Sequence, residues 1–465
     1  MGPHGAARHF GWPPGVTQGE FAFDAGGDSR FDPSMARTAF VAPAWTGHLN
    51  PMTTLARVVG RRGHEVTVLS FPDAVDAITR AGLRAEVIGE SRFPDGNWAH
   101  RTAELAVLHG LSASRYTIRW IEDITSVMLT ELPARLSGGR FDGLVMDQVC
   151  YGAECAADMT DTPLAVACNA LPVHMQPDVP VHSETWSYST GRLARFRNRL
   201  AQRLIVGFAR GFLRPIRAAR EARGHAWDVW QHMNELPPSL VQVAQLPACL
   251  DFPRRHSPAH FHHTGPWHES KGAAMAGFDW SWLDGRPLIY ASLGTLQNRL
   301  DHLYQVILDA CAGLPVQLVL TLVREDGNRP ARVPPNAMVL GYGPQLALLQ
   351  RASLVITHAG LNTTLETLAL GLPIVALPIA NEQPGIAARI RHVGAGEWLS
   401  IRRLRPGPLR AAIEKVRQDP RYRERARDCA RQMTSVDGLA RAAQLIEEAF
   451  TTRRPTLRPH GPIDS

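Results

Sequence analysis

Short apolar runs alternate along the chain with stretches whose apolar residues recur at helical spacing. Thr38–Pro43 is an apolar run, and Glu65–Phe71 alternates β-branched and polar residues, so both read as strands. Between them a loop, Ala44–Asn50, leads into a helix over Pro51–Arg62, because Pro suits the first helical turn and Gly63 ends the pattern. Such a strand–helix–strand unit builds a parallel sheet with crossover helices. Further buried strands are expected at Gly143–Asp147 and Pro163–Asn169. A second series follows, with strands at Leu288–Ser292, Val316–Leu322, Met338–Gly341, Leu354–Thr357 and Pro373–Pro378. Helices are expected at Leu300–Ala312, Gln345–Arg351, Asn362–Leu370 and Gln383–His392, with a helical end from about Leu409 to Phe450. The pattern predicts an α/β fold of two tandem, Rossmann-like, doubly wound parallel-sheet domains with a cleft between them.

The remaining segments set the expected boundaries. Residues 1–36 are aperiodic and rich in Gly, Pro, Asp and Ala; they read as a disordered extension, with Met35 as a candidate start. Residues 37–255 form the expected N-terminal domain and 256–450 the C-terminal one. Asp251–Lys271, rich in Pro, His and Gly, reads as the connection, and 451–465 as a disordered tail. Residues 190–222 mix arginines with Leu, Ile, Val and Phe at the spacing of one or two basic amphipathic helices. Such a stretch is either a solvated arginine face on a packed helix, the simpler reading, or a patch for peripheral contact with an inner membrane face.

Composition narrows the class. The 465 residues are 45% hydrophobic and 20% charged, enough to bury the cores of two or three domains. The formal charge is +7, but it is carried almost wholly by arginine, Lys271 and Lys415 being the only lysines, and no basic run of nucleic-acid type occurs. A nucleic-acid partner is not expected. Six scattered cysteines without a C-x-x-C pair fit a reducing cytoplasm rather than a disulfide framework. No apolar run approaches the length of a membrane span, about 18 residues or more. Met1–Gly19 lacks the apolar core of a secretory signal.

Candidate chemistry gathers at strand ends. Leu354–Glu366 reads as a buried strand that ends at His358, turns at Ala359-Gly360 and enters a helix, leaving free backbone N–H groups at a helix N-terminus, a seat for phosphate. Asn362 and Thr363 add donors in the first turn. Glu366, one turn on, is placed to accept from ribose hydroxyls. After the next strand, Glu382-Gln383 offers an acceptor pair and an amide for sugar hydroxyls. Upstream, Tyr342-Gly-Pro-Gln345 offers an aromatic face suited to a nucleobase. In the first domain, His48 lies in the loop Gly47-His48-Leu49-Asn50-Pro51, and Asp147 ends a strand; a neutral imidazole oriented by a carboxylate is suited to taking a proton near pH 7. The cluster His256, His260, His262 and His263 invites a metal, but alternating residues on an extended segment point to opposite faces, and no metal is expected.

The block Tyr342-Gly-Pro-Gln345, His358-Ala-Gly360-Leu-Asn362-Thr363-Thr-Leu-Glu366 and Glu382-Gln383 resembles the sugar-nucleotide signature of the family 1 glycosyltransferases of GT-B fold. Tyr342 stands where that family usually has Trp, and Thr363 where it usually has Ser. The resemblance spans about residues 37–450. It implies that Tyr342 and Gln345 hold uracil, that Glu366 holds ribose, that His358, Gly360, Asn362 and Thr363 hold the diphosphate, and that Glu382 and Gln383 hold the hexose. Ser292, Gly294 and Thr295 match the family's first donor-domain loop, which approaches the phosphates. His48 matches its catalytic base, with Asp147 as partner. It also implies an inverting transferase that takes its sugar, expected to be glucose, from a UDP-sugar co-substrate and needs no metal or other cofactor. In the acceptor half, Asp147-Gln148, Ala167-Cys-Asn169-Ala-Leu171-Pro172 and Trp186-Ser-Tyr188 resemble bacterial zeaxanthin glucosyltransferases. The expected acceptor is therefore a hydroxylated lipophile such as a carotenoid, with macrolide, flavonoid and glycolipid acceptors as alternatives, and the expected state is a monomer. UDP-GlcNAc 2-epimerases share the fold, but they need no acceptor hydroxyl, and the loop around His48 speaks against them. The presence of His48 and the donor residues speaks against a non-catalytic nucleotide-sugar binder.

Overall fold

The computed structural model describes residues 35–108, 110–268, 278–294, 301–322 and 330–459. The disorder expected for residues 1–34 and 460–465 lies outside them. Two parallel sheets organise the chain. The first contains β1 (Arg37–Val41), β2 (Glu65–Ser70), β3 (Arg84–Val87), β4 (Gly143–Asp147), β5 (Leu164–Cys168), β6 (Val241–Ala244) and β7 (Phe261–His263), in the order β3-β2-β1-β4-β5-β6-β7. The second contains β8 (Leu288–Ser292), β9 (Gln317–Thr321), β10 (Ala337–Leu340), β11 (Ala352–Thr357), β12 (Ile374–Ala376) and β13 (Gly396–Trp398), in the order β10-β9-β8-β11-β12-β13. β4, β5, β8 and β9 are buried at every position, because helices cover both faces of each sheet. This is why they appear in the sequence as continuous apolar runs.

Both sheets reverse their strand order once, between β1 and β4 in the first and between β8 and β11 in the second. Ligands of doubly wound sheets bind beyond the carboxyl ends of the strands at such a point. His48 follows β1 and Asp147 ends β4; Gly294 follows β8 and His358 follows β11. All the central site candidates thus leave the two sheets at their reversal points.

The structure moves the expected domain boundary. Phe261–His263, read as linker, is the seventh strand of the first sheet, paired to β6 through Gln242 and Phe261. The sequence hid it because the strand is three residues long and lies among Pro and His. The helical end divides into helices Pro406–Gln418, Pro420–Thr434 and Gly438–Thr452. The last of these returns to the first sheet: Leu439, Leu445, Ile446 and Phe450 share a core with Phe40, Val145 and Ala165. Apolar side chains at helical spacing bury wherever a complementary face is free, so chain order does not decide the domain. The tail is also pinned as far as Arg458: Thr456 N donates to Leu240 O at 3.0 Å and Arg458 N to Ala259 O at 2.8 Å. At the other end, Ala36 is buried, and its N–H donates to His64 Nδ1 at 3.1 Å.

The halves are joined by a buried ion triad. Asp251, in the excursion between β6 and β7, meets Arg254 and also Arg389 of helix Gln383–His392 (2.8 Å). Burial opposes the charged carboxylate, but the two guanidinium groups hold Asp251 far below the usual carboxylate range.

Candidate active site

The helix after β1 begins earlier than its proline suggests. It runs Thr46–Arg61, with Pro51 inside it, so His48 sits in its first turn rather than in a loop. A helical residue at position 51 would donate its N–H to Gly47 O, and Pro51 has no N–H to give. The freed Gly47 carbonyl instead accepts from Asn362 Nδ2, on the other domain, at 3.0 Å.

His48 Nδ1 lies 2.9 Å from Asp147 Oδ2 and 3.1 Å from Oδ1. A carboxylate only accepts, so Nδ1 carries the proton and Nε2 keeps its lone pair. Asp147 is fully buried, and its remaining acceptor capacity is met by Asn169 Nδ2 at 2.7 Å and Val149 N at 3.0 Å. Asn169 Nδ2 also lies 3.1 Å from His48 O, so one amide braces both members of the pair. Burial disfavours the charged imidazolium, but the charge and hydrogen bond of Asp147 outweigh it, with help from Glu382 across the cleft; the His48 pKa is raised above its ordinary 6.5. The Trp45 ring lies 5.7 Å from His48 and ties it to the core, where Trp45 packs 5.3 Å from Trp98 and 5.2 Å from Trp120.

The end of the second sheet is built differently. Helix Leu361–Ala369 begins at Gly360, which offers no side-chain cap, and its first internal bond to Gly360 O comes from Thr364 N. The preceding N–H groups therefore face outward, as an anion requires. His358 packs between two glycines: a Cβ on Gly294 or on Gly360 would stand 2.5 Å from its ring. Burial lowers the His358 pKa to about 4, so the ring contributes as a neutral donor and not as a cation. Gln345 Nε2 donates to Glu366 Oε2 at 2.6 Å, and Gln345 Oε1 accepts from Tyr290 at 3.1 Å. Burial raises the Glu366 pKa, and Gln345 opposes the shift. Tyr342 is 60% exposed and presents an open ring beside this pair.

The fold brings the expected residues to the two facing sheet ends, with three qualifications. Thr295 lies outside the described residues. Asn362, expected at the diphosphate, spends its amide on the other domain: Nδ2 on Gly47 O, and Oδ1 as acceptor from Gln245 Nε2 at 3.0 Å. Gln383, expected at the hexose, accepts at Oε1 from Ile379 N at 2.8 Å and Ala380 N at 3.0 Å, so it fixes the turn beside Glu382. Of the histidine cluster, His262 Nε2 bonds Thr456 O and His263 Nδ1 bonds Leu246 O, each at 2.8 Å.

Two polar residues were missed as parts of the site. In the sequence Asn169 stands out only within the Ala167–Pro172 motif, and Gln245 carries no motif. Gln245 Nε2 reaches both Asn169 O and Asn362 Oδ1, so Asn169, Gln245 and Asn362 form a polar bridge from the His48–Asp147 pair to the donor helix. A glutamine just past the end of a parallel strand was the available signal.

A family model described as UDP-glucoronosyl and UDP-glucosyl transferase matches residues 40–432. The zeaxanthin glucosyltransferase of Pantoea ananas is 30% identical over 433 residues, covering 92% of this chain and 99% of that protein. The 4'-demethylrebeccamycin synthase of Lentzea aerocolonigenes is 27% identical over 434 residues, covering 89% and 99%. Among solved structures, the glycotransferase of kitacinnamycin matches with a TM-score of 0.69 and 25% identity, over 90% of this chain and 99% of that one. The two-sheet architecture is the GT-B fold of these enzymes.

Proposed function

This chain belongs to the UDP-glucoronosyl and UDP-glucosyl transferase family, and on that premise we propose that it is an inverting, metal-independent enzyme that moves glucose from UDP-glucose to a hydroxyl of a lipophilic acceptor, a hydroxylated carotenoid first among them. The observation that carries the reading is the His48–Asp147 pair, its Nε2 lone pair free, facing an uncapped helix N-terminus across the cleft.

In this reading His48 Nε2 takes the proton of the acceptor hydroxyl as its oxygen attacks the sugar C1 from the face opposite the nucleotide. The new C–O bond forms as the bond from C1 to the diphosphate oxygen breaks, and its electron pair leaves with UDP. The α-linked donor thus gives a β-glycoside. Asp147 holds the imidazole in the required tautomer and stabilises the imidazolium. The N–H groups after Gly360 meet the charge that grows on the departing diphosphate, with His358 and Thr363 beside them. Tyr342 stacks on uracil, Glu366 takes the ribose hydroxyls, and Glu382 the hexose. The similarity to the Pantoea enzyme supports an apolar acceptor.

The test is UDP release from UDP-glucose with zeaxanthin in detergent, EDTA present, against a control without acceptor. The expected outcome is acceptor-dependent release and a more polar carotenoid. Release at the control rate, together with turnover of a macrolide or flavonoid, overturns the acceptor assignment. Release abolished by EDTA overturns metal independence.

A further inference from the structure

The two arginine-rich helices, Arg192–Phe208 and Arg210–Ala222, bury opposite kinds of residue. The second behaves as an ordinary amphipathic helix: Phe212, Leu213 and Ile216 face the core, and Arg210 and Arg214 face solvent. The first is inverted. Its buried positions are polar: Asn198 donates to Pro177 O at 2.9 Å and Gln202 to Gln176 O at 2.8 Å. Val206 packs against the core, but five of its large apolar residues face outward, Leu193 being 87% and Phe196 68% exposed, with Leu200, Leu204 and Phe208 about half exposed. At 100° per residue these five fall on one stripe about 22 Å long, opposite Asn198 and Gln202.

Burying an apolar stripe is favourable by roughly 25 cal/mol per Å², so a helix that turns one outward while spending amides on its inner face has a surface built for contact. Charge identifies the partner. Exposed Arg192, Arg199 and Arg203 flank the stripe, and Arg210 and Arg214 continue the basic field. Residues 192–208 contain no Asp or Glu. None of these five arginines has an ion-pair partner among the described residues; Arg195, beneath them, is paired with Asp178. A second copy of the chain would bring the same arginines face to face. Apolar residues in line with unpaired arginines instead complement the acyl boundary and the phosphates of an anionic bilayer. Among the described residues, no helix is long and apolar enough to cross a membrane.

We infer that the outer face of helix Arg192–Phe208 docks this protein on the surface of an anionic lipid bilayer, the stripe dipping among the acyl chains and the arginines resting on lipid phosphates. The buried face of the helix rests on residues 176–179. Further along that segment, His182 O accepts from Gly385 N, at the head of the donor-domain helix, at 2.8 Å. The docking face is therefore mounted on the rim of the cleft. The docking itself does not depend on the identity of the acceptor. Its use, loading a lipophilic acceptor from the bilayer, rests on the function proposed above.

The experiment is co-sedimentation of the full chain with vesicles of phosphatidylcholine, with and without phosphatidylglycerol, at low and high salt. The expected result is binding to the anionic vesicles at least about tenfold stronger than to the neutral ones, and reversed by salt. A Phe196→Glu/Leu200→Glu variant is expected to lose about tenfold or more of that binding, as is Arg199→Glu/Arg203→Glu, while UDP affinity stays at the wild-type value. All these positions are exposed, so folding is not at stake. Absence of binding by the wild-type chain overturns the inference, and so does binding that both variants retain. A dimer seen by light scattering that Phe196→Glu/Leu200→Glu disperses, without vesicle binding, assigns the stripe to a second copy instead. Vesicle docking with no transfer to any carotenoid would leave the docking surface standing and remove only the acceptor.

Discussion

The two sheet-reversal points have the same topology and opposite chemistry. At the first, β1 and β4 bring together a histidine and a buried carboxylate, braced by Asn169, so the point is made of titratable side chains. At the second, β8 and β11 bring together Gly294, His358 and Gly360, and the useful groups are backbone N–H groups beside a neutral ring. In the proposed reaction the proton acceptor changes charge, and a neighbouring charge tunes its environment. The proposed anion seat keeps its charge, and it is built from dipoles fixed by packing. The comparison teaches that strand topology supplies the place, while residue size and charge decide what the place does.

The comparison is broken most severely at the first point. His48→Ala is expected to cut transfer by about a thousandfold, the middle of the range for loss of a general base. UDP affinity, measured by calorimetry, is expected to hold, and equal losses in both would merge the two points into one. Next is Gly360→Ala, whose Cβ would meet the His358 ring at 2.5 Å. Overpacking of this kind costs about 1–3 kcal/mol, so UDP affinity is expected to fall roughly tenfold or more while the pH profile of transfer keeps its shape. An unchanged UDP affinity would show that the His358 ring moves aside without cost. The smallest effect is expected at the bridge. Gln245→Leu removes the link to Asn362 Oδ1 and Asn169 O, and the saturated rate is expected to fall severalfold with UDP affinity nearly unchanged. A loss confined to UDP affinity would place Gln245 wholly with the donor half.

The donor point was legible in the sequence because its parts are consecutive: the end of β11, the turn through Ala359 and Gly360, and the first turn of the next helix lie within Leu354–Glu366. The pairing of His48 with Asp147 was legible from two strand ends. The bridge was not, since Gln245 reaches Asn362 from 117 residues away, and only the order β5-β6 carries it there. The helix start before Pro51 was hidden because a proline is tolerated wherever the carbonyl four residues back finds another donor. The inverted helix was legible as basic and amphipathic, but which face would be buried depended on the carbonyls of Gln176 and Pro177, which no periodicity reveals.

The central claim is that the Asp147 carboxylate tunes His48 as the base, and the pH dependence of kcat/KM in the wild type and in Asp147→Asn tests it most directly. Transfer needs the neutral imidazole, so activity is lost as pH falls through the His48 pKa. With that pKa raised by Asp147, the acid limb of the wild-type enzyme is expected above pH 6.5. In Asp147→Asn the raising charge is gone and burial remains, so the limb is expected to move to lower pH, with a plateau lower by about a hundredfold or more. An acid limb at the same pH in both enzymes would contradict the account.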